Sequence, residues 1–130
     1  MGTEILQTYR CNVCWNTVEV VRAGVGTLVC CGKPMDLLVE NTNETAREKH
    51  VPVIEKADGG VNVTVGGTLH PMDKDHYIEW IEVADGGLVC RQFLRSGDAP
   101  QAFLPLDHEG QTVRAHCNLH GLWKRIQLRL

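Results

Sequence analysis

Short apolar runs separated by glycine-rich turns fill the chain from residue 51 onward. The runs are rich in valine, isoleucine and leucine, and none shows the three- to four-residue spacing of an amphipathic helix. Runs of this length bounded by glycine pairs are typical of an antiparallel sandwich or barrel. We therefore predict seven strands, over residues 51–54, 61–65, 77–83, 88–94, 102–106, 112–117 and 122–130.

The first 37 residues contain shorter apolar runs, which predict strands over 18–21 and 27–29 and turns at 24–26 and 32–34. A piece this small buries too little apolar surface to offset its chain entropy, so it needs a cross-link or a metal. Four cysteines fall within it and are the only groups that could supply either.

A polar stretch separates this piece from the rest of the chain. It predicts a linker over residues 38–49, between a first domain at 1–37 and a second domain at 50–130. Because both domains show strand patterns and no helical periodicity, we predict an all-β protein.

Composition and charge exclude several classes of partner. The chain has 13 Lys and Arg residues against 16 Asp and Glu, a net charge of −3, and no basic cluster. It therefore lacks the electrostatic footprint needed to bind nucleic acid or an anionic membrane. No apolar run approaches the roughly 18 residues that a spanning helix needs, and the N-terminus has no secretory pattern. We expect a cytoplasmic location.

Six cysteines and six histidines are an unusual number for 130 residues. In a reducing cytoplasm, cysteines serve metal binding or redox chemistry more often than disulfides. Cys11-Asn-Val-Cys14 followed by Cys30-Cys31 can place four thiolates around one tetrahedral ion. Spacing alone leaves zinc and iron as alternatives, and a disulfide is a weaker third.

The other candidate ligands lie between residues 50 and 120. Cys117-Asn-Leu-His120 offers a thiolate and an imidazole three residues apart, and His70 and His76 end one turn-rich loop. His50 lies where the linker meets the second domain. Each histidine alone is more often a core or surface residue than a ligand. These residues by themselves therefore do not decide whether the chain has a second metal site. Strand alternation turns His116 away from Cys117, which predicts that it is not a ligand.

Three motifs in combination resemble those of the superoxide reductases. They are Glu48-Lys49-His50-Val51-Pro52, His70-Pro71-Met72 with His76-Tyr77-Ile78-Glu79-Trp80-Ile81, and Cys117-Asn118-Leu119-His120-Gly121-Leu122-Trp123. With the four N-terminal cysteines, the chain resembles the two-iron form, the desulfoferrodoxins, over essentially its full length. Two features depart from the usual pattern: Trp15 stands where a small residue is common, and Cys90 is additional.

The resemblance implies a small desulforedoxin-like N-terminal domain and a C-terminal seven-stranded immunoglobulin-like β-sandwich. In the first domain it implies a structural or electron-transfer iron bound by Cys11, Cys14, Cys30 and Cys31. In the second domain it implies a catalytic iron with equatorial ligands His50, His70, His76 and His120 and the axial ligand Cys117.

The same resemblance implies a superoxide reductase, which adds one electron to superoxide at the ferrous second centre and yields hydrogen peroxide without producing dioxygen. Such an enzyme detoxifies reactive oxygen in an anaerobe or microaerophile. Beside His50, Lys49 is a candidate to steer superoxide and to supply a proton through water, and Glu48 could fill the sixth coordination position.

The resemblance also implies a homodimer and a small electron-donor protein such as a rubredoxin. The sequence does not decide whether calcium binds at a dimer interface. Two other functions remain as alternatives. One is an electron carrier without a substrate of its own, and the other is a zinc-ribbon interaction module fused to a β-sandwich.

Overall fold

A computed structural model describes residues 2–41, 51–66 and 70–127 of the chain. These residues form two compact units, Met1–Val39 and Glu40–Leu130. Every regular secondary-structure element assigned within the described ranges is a strand, which confirms the all-β prediction. Within those ranges, no helix has the length and apolar character needed to cross a membrane.

The first unit is built from short strands. They are β1 (Thr8–Arg10), β2 (Thr17–Glu19), β3 (Val29–Cys30), β4 (Lys33–Pro34) and β5 (Asp36–Leu37). A three-stranded antiparallel sheet has the order β2-β1-β5, and β3 and β4 form a separate hairpin. Strand β1 lies at the centre of its sheet and leads directly to Cys11.

The predicted turn at residues 32–34 is wrong, because Lys33 and Pro34 pair with Cys30 and Val29 in the β3–β4 hairpin. The turn consists instead of Cys31 and Gly32, whose φ angles are 53° and 75°. Positive φ at both central residues is typical of the type I′ turn, whose twist matches that of the flanking strands. This turn places Cys30 and Cys31 beside each other at the tip of the hairpin.

The described residues of the second unit form eight strands. They are β6 (Glu40–Asn41), β7 (Pro52–Ala57), β8 (Gly60–Val65), β9 (Ile78–Asp85), β10 (Leu88–Phe93), β11 (Gln101–Leu104), β12 (Thr112–Cys117) and β13 (Gly121–Ile126). One sheet has the order β10-β9-β12-β13-β6 and the other β11-β8-β7. All neighbours are antiparallel except β6 and β13. Residues 42–49 of the predicted linker lie outside the described residues.

Alternating side chains of the two sheets form the core. Val61, Val63 and Val65 of β8 are fully buried, and Val113 and Ala115 of β12 join them from the other sheet. This period of two is what a strand with one face in the core requires. Cys117 continues the series at the end of β12, so the fold places its thiol at the edge of the apolar core.

The opposite face of the five-stranded sheet carries a buried ion-pair network. Glu82 is fully buried on β9, and it accepts hydrogen bonds from Arg91 Nε at 3.0 Å and Arg114 Nε at 2.6 Å. Arg114 also reaches Glu40 on β6 at 3.2 Å, and Lys124 of β13 lies 3.3 Å from Glu40. The network therefore includes a side chain from every strand of this sheet.

Candidate metal centres

The four N-terminal cysteines come together in the first unit. Cys11 follows β1 and Cys14 lies one turn later, whereas Cys30 ends β3 and Cys31 begins the hairpin turn. Their four Sγ atoms lie within 4.8 Å of one another, and those of Cys14 and Cys30 are 3.6 Å apart. Sulfur atoms bound tetrahedrally at about 2.3 Å from one ion would lie about 3.8 Å apart. The cluster thus fits a single tetrahedral ion with soft ligands.

Backbone donors favour the thiolate form of Cys11. The N–H groups of Cys14 and Val13 point at its Sγ over 3.5 Å and 3.4 Å. These hydrogen bonds lower the pKa of Cys11 from 9.0 to about 6. Such backbone donation is the usual support for a cysteine that binds a metal as its thiolate.

The thiols of Cys30 and Cys31 resist ionisation when no ion is bound. Hydrogen bonds with the sulfur atoms of Cys14 and Cys11 raise the pKa of Cys31 to about 12, and Cys14 also raises the pKa of Cys30. Several thiolates this close repel one another unless a cation lies between them. Metal binding at this centre must therefore displace protons.

Trp15 departs from the small residue that is common after the second cysteine, and the structure shows its setting. Its φ is 69°, in the left-handed region, and its N–H donates to the carbonyl of Cys11 at 3.0 Å. The Arg10 guanidinium lies 5.3 Å from the centre of the indole ring, within reach of a cation–π interaction. Trp15 thus closes the loop that carries Cys11 and Cys14 without contributing a ligand atom.

A second cluster of donors lies in the second unit. Donor atoms of His70, His76, Cys117 and His120 all lie within 4.8 Å of one another. The rings of His70 and His76 are 4.8 Å apart, those of His76 and His120 are 4.9 Å apart, and Cys117 Sγ lies 3.7 Å from Nδ1 of His120. Atoms bound at about 2.0–2.3 Å from one ion lie at most about 4.6 Å apart, so the cluster is near the required size.

Local backbone structure orients these ligands. His70 Nδ1 lies 2.7 Å from the carbonyl oxygen of Pro71. Because a carbonyl only accepts, Nδ1 carries the proton and Nε2 keeps the lone pair that binds a metal. His76 exchanges backbone hydrogen bonds with Asp73 at 2.9 Å and 3.3 Å, and Trp123 Nε1 donates to the carbonyl of His120 at 3.2 Å.

Cys117 combines burial with backbone donors. Burial raises the pKa of its thiol above 9.0, while hydrogen bonds from the backbone N–H groups of His120 and Leu119 act in the opposite direction. The two N–H groups would persist when a thiolate binds a metal, and they would limit how much electron density the sulfur donates. The sulfur is fully buried, whereas His120 is exposed. The cluster therefore has one apolar side and one side open to solvent.

Three predicted site residues lie outside the described residues. They are Glu48, Lys49 and His50, so the described residues contribute three histidines and one cysteine, where the resemblance implies four histidines. Two residues that contact the ligand-bearing segments, Asn118 and Glu79, were not among the predicted site residues. Asn118 lies inside the Cys117-to-His120 motif, but nothing in a lone asparagine indicates which distant backbone it binds.

Comparison with known proteins gives matches over both units. The family model described as desulfoferrodoxin matches residues 42–126, and the desulfoferrodoxin N-terminal domain model matches residues 3–38. The chain is 54% identical to the desulfoferrodoxin of Syntrophotalea carbinolica, over 92% of this chain and 95% of that one. It is 52% identical to a desulfoferrodoxin homolog of Archaeoglobus fulgidus, over 94% and 98%. The superoxide reductase structure from Treponema pallidum superposes with a TM-score of 0.73 at 26% identity, covering 96% and 99% of the two chains.

Proposed function

The chain belongs to the desulfoferrodoxin family, and from that premise we propose that it is a superoxide reductase with one iron in each centre. The reaction adds one electron and two protons to superoxide and releases hydrogen peroxide, with no dioxygen formed. Detoxification of reactive oxygen is the physiological role that follows from this chemistry.

One observation carries the proposal: three imidazoles and one buried thiolate converge within 4.8 Å beside an exposed edge of the second unit. With His50 as the proposed fifth ligand, the set exceeds the four ligands of a structural zinc site, and four neutral imidazoles with a single thiolate suit iron. When bound, ferrous iron supplies the electron and, with one thiolate ligand, keeps a formal charge of 2 − 1 = +1 that attracts an anion.

The chain's own residues perform the remaining tasks. Cys117 places its sulfur on the apolar side of the cluster, and the exposed His120 leaves the opposite side accessible to a small anion. His50 is proposed as the fourth histidine ligand. Lys49 is proposed to attract superoxide and to pass a proton through water, and Glu48 to occupy the open position in the resting oxidised state.

The first centre is proposed to hold iron for electron transfer or for stability. Four thiolates give a ferric ion a formal charge of 3 − 4 = −1. The exposed Cys14 and Cys31 supply a short route for an electron from a small donor protein such as a rubredoxin. A reducing cytoplasm is the proposed location, because it keeps cysteines available as metal ligands.

A homodimer is also proposed, because the first unit exposes many apolar side chains for its size. They are Ile5, Val13, Trp15, Val18, Val21, Val25, Val29, Leu37 and Val39. A second copy of the chain would cover part of this surface and reduce the apolar area in contact with water.

Protein purified without added metal tests the proposal. We expect two irons per chain, a visible thiolate-to-iron charge-transfer band, and one peroxide formed for each superoxide consumed, provided that an electron donor is present. Dismutation would give one peroxide and one dioxygen for every two superoxide ions, so dioxygen release would contradict the proposal.

Two further outcomes identify the alternative functions. A colourless protein with tightly bound zinc would indicate an interaction module. Two irons with a second centre that rejects small anions such as azide would indicate an electron carrier.

A further inference from the structure

We infer that Asn118 is a positioning residue of the second metal centre. Its side chain hydrogen-bonds the segment that carries His76 to the turn that carries Cys117 and His120. The inference rests on the proposed function, because it concerns the same metal centre.

The side-chain amide of Asn118 makes two hydrogen bonds to backbone, one on each side of His76. Its Oδ1 accepts from the N–H of Tyr77 at 2.9 Å, and its Nδ2 donates to the carbonyl of Asp75 at 3.1 Å. The backbone N–H of Asn118 also donates to the carbonyl of Tyr77 at 3.2 Å. Three hydrogen bonds from one residue thus bracket a single ligand.

These hydrogen bonds lie just beyond the end of the backbone pairing between β9 and β12. The last backbone pair between β9 and β12 is Ile78 with Cys117, and residues before Ile78 leave the ladder. His76 lies beyond that point, so its position relative to Cys117 depends on contacts other than the sheet. Asn118 supplies them from the position directly after Cys117.

The chemistry of the contact requires an amide of this length. One donor and one acceptor on the same short side chain match an N–H and a carbonyl that lie two residues apart on the facing segment. Aspartate keeps the acceptor and lacks the donor, and alanine lacks both. Among the described residues, the Asn118 side chain bonds to backbone and not to the donor atoms of the cluster, so its effect on the metal is transmitted through His76 and through the turn.

The test compares Asn118→Ala and Asn118→Asp with the wild-type holoprotein and with Gln111→Ala. Gln111 is the matched control, because it is a buried amide whose Nε2 also makes two hydrogen bonds, to Leu106 O at 2.8 Å and Gln127 Oε1 at 2.6 Å. It precedes β12, whereas Asn118 follows it, so the two lie about 23 Å apart along the strand at about 3.3 Å per residue.

Two measurements separate positioning from general stability. The first is the rate at which a ferrous chelator removes iron from the second centre, relative to the first centre of the same molecule. The second is hydrogen exchange by mass spectrometry over the peptide that contains Tyr77. Outer partners of metal ligands typically change affinity by about 10- to 100-fold.

Asn118→Ala should release iron from the second centre about tenfold faster or more, shift its charge-transfer band and expose the Tyr77 amide. Asn118→Asp should keep that amide protected and release iron at an intermediate rate. Gln111→Ala should lower the unfolding temperature without changing the ratio of release rates.

Unchanged iron release in Asn118→Ala, or an equal acceleration in Gln111→Ala, would overturn the inference. If Asn118→Ala does not fold, wild-type iron retention in Asn118→Asp together with an exchanging Tyr77 amide would overturn it instead. Failure of the proposed function is distinguishable, because the wild type would then lack the charge-transfer band before any substitution is made.

Discussion

Glu79 and His116 form a hydrogen-bonded pair, with Oε1 of the carboxylate 2.7 Å from Nδ1 of the ring. The pair results from an irregularity in the sheet, where His116 lies opposite Trp80 but Cys117 lies opposite Ile78. Glu79 is therefore the extra residue of a β-bulge, a feature that redirects side chains. The His116 ring also stacks on Trp80, with ring planes 12° apart. Although His116 adjoins Cys117 in sequence, these contacts hold it outside the donor cluster.

We predict that His116→Ala keeps iron in both centres but destabilises the second unit. The substitution removes a hydrogen bond to a charged group and a buried ring contact, so the free energy of unfolding should fall by about 2 kcal/mol. Metal analysis and denaturant unfolding of the same samples measure both effects. His70→Ala is the control and should lose the second iron. Loss of that iron in His116→Ala would instead make His116 a ligand.

The buried carboxylate of Glu82 leads to a second prediction. Replacing it by alanine leaves Arg114 buried without its 2.6 Å partner, and removing one member of a buried ion pair costs about 3–5 kcal/mol. Glu82→Ala should therefore unfold at a much lower denaturant concentration. Glu55→Ala, which alters an exposed carboxylate on β7, serves as the control and should change stability by less than about 0.5 kcal/mol. Equal stability of the two variants would contradict this prediction.

Much of the second unit could be predicted from the sequence, because strand alternation is a local property. The predicted run at 112–117 coincides with β12, which begins with the β-branched residues Thr112 and Val113 and directs Val113, Ala115 and Cys117 alternately into the core. The turn at Cys31 and Gly32 could not be predicted, because a cysteine with a φ of 53° at position 31 has no local signal. Glycine and asparagine are the residues that normally indicate such a conformation.

The first donor cluster could be predicted from cysteine spacing, which carries chemical information that does not depend on the fold. The second donor cluster was predicted only through the resemblance of its motifs to those of the superoxide reductases. The residues that position the ligands could not be predicted from the sequence. Asn118 meets Tyr77 across 41 positions of sequence, and Glu79 meets His116 across 37. Both contacts depend on the register and the bulge between β9 and β12, which only the folded chain determines.

Cys14→Ser should remove the first iron and leave most superoxide reduction intact. The two donor clusters share no residue, and the thiols of the first lie in a separate compact unit. Metal analysis should find one iron, and pulse radiolysis should find nearly wild-type reaction with superoxide. Cys90→Ser is the matched control, because Cys90 belongs to neither cluster, and it should keep both irons. A rate reduced by orders of magnitude in Cys14→Ser would show that the second centre depends on the first.

Cys117→Ser should abolish both the charge-transfer band of the second centre and turnover. A serine hydroxyl is a hard, weakly donating ligand, whereas the buried thiolate is soft and donates strongly. Iron can still be held by the histidines, so metal content and colour must be measured separately. A variant that retains the band and the activity would show that Cys117 is not a ligand. Cys90→Ser again reports the effect of removing a thiol elsewhere.

Lys49 is predicted to attract superoxide by its charge. A nearby cation can raise the rate of association with an anion about tenfold or more, and salt weakens this effect. The Debye length falls from about 10 Å at 0.1 M ionic strength to about 3 Å at 1 M. Lys49→Ala should therefore slow superoxide capture at low salt and less so at high salt, with an unchanged visible spectrum. Stopped-flow or pulse-radiolysis rates across a salt series measure this.

Two variants separate steering from other roles of Lys49. Lys49→Arg should keep most of the rate, because attraction at a distance depends on charge and not on shape. Lys74→Ala removes an exposed lysine from the loop between His70 and His76, so it tests whether any positive charge near the ligands has the same effect. A larger loss in Lys74→Ala than in Lys49→Ala would transfer the steering role to that loop. Wild-type capture by Lys49→Ala at low salt would mean that Lys49 is only a solvated surface charge, since screening cannot hide an interaction when few ions are present.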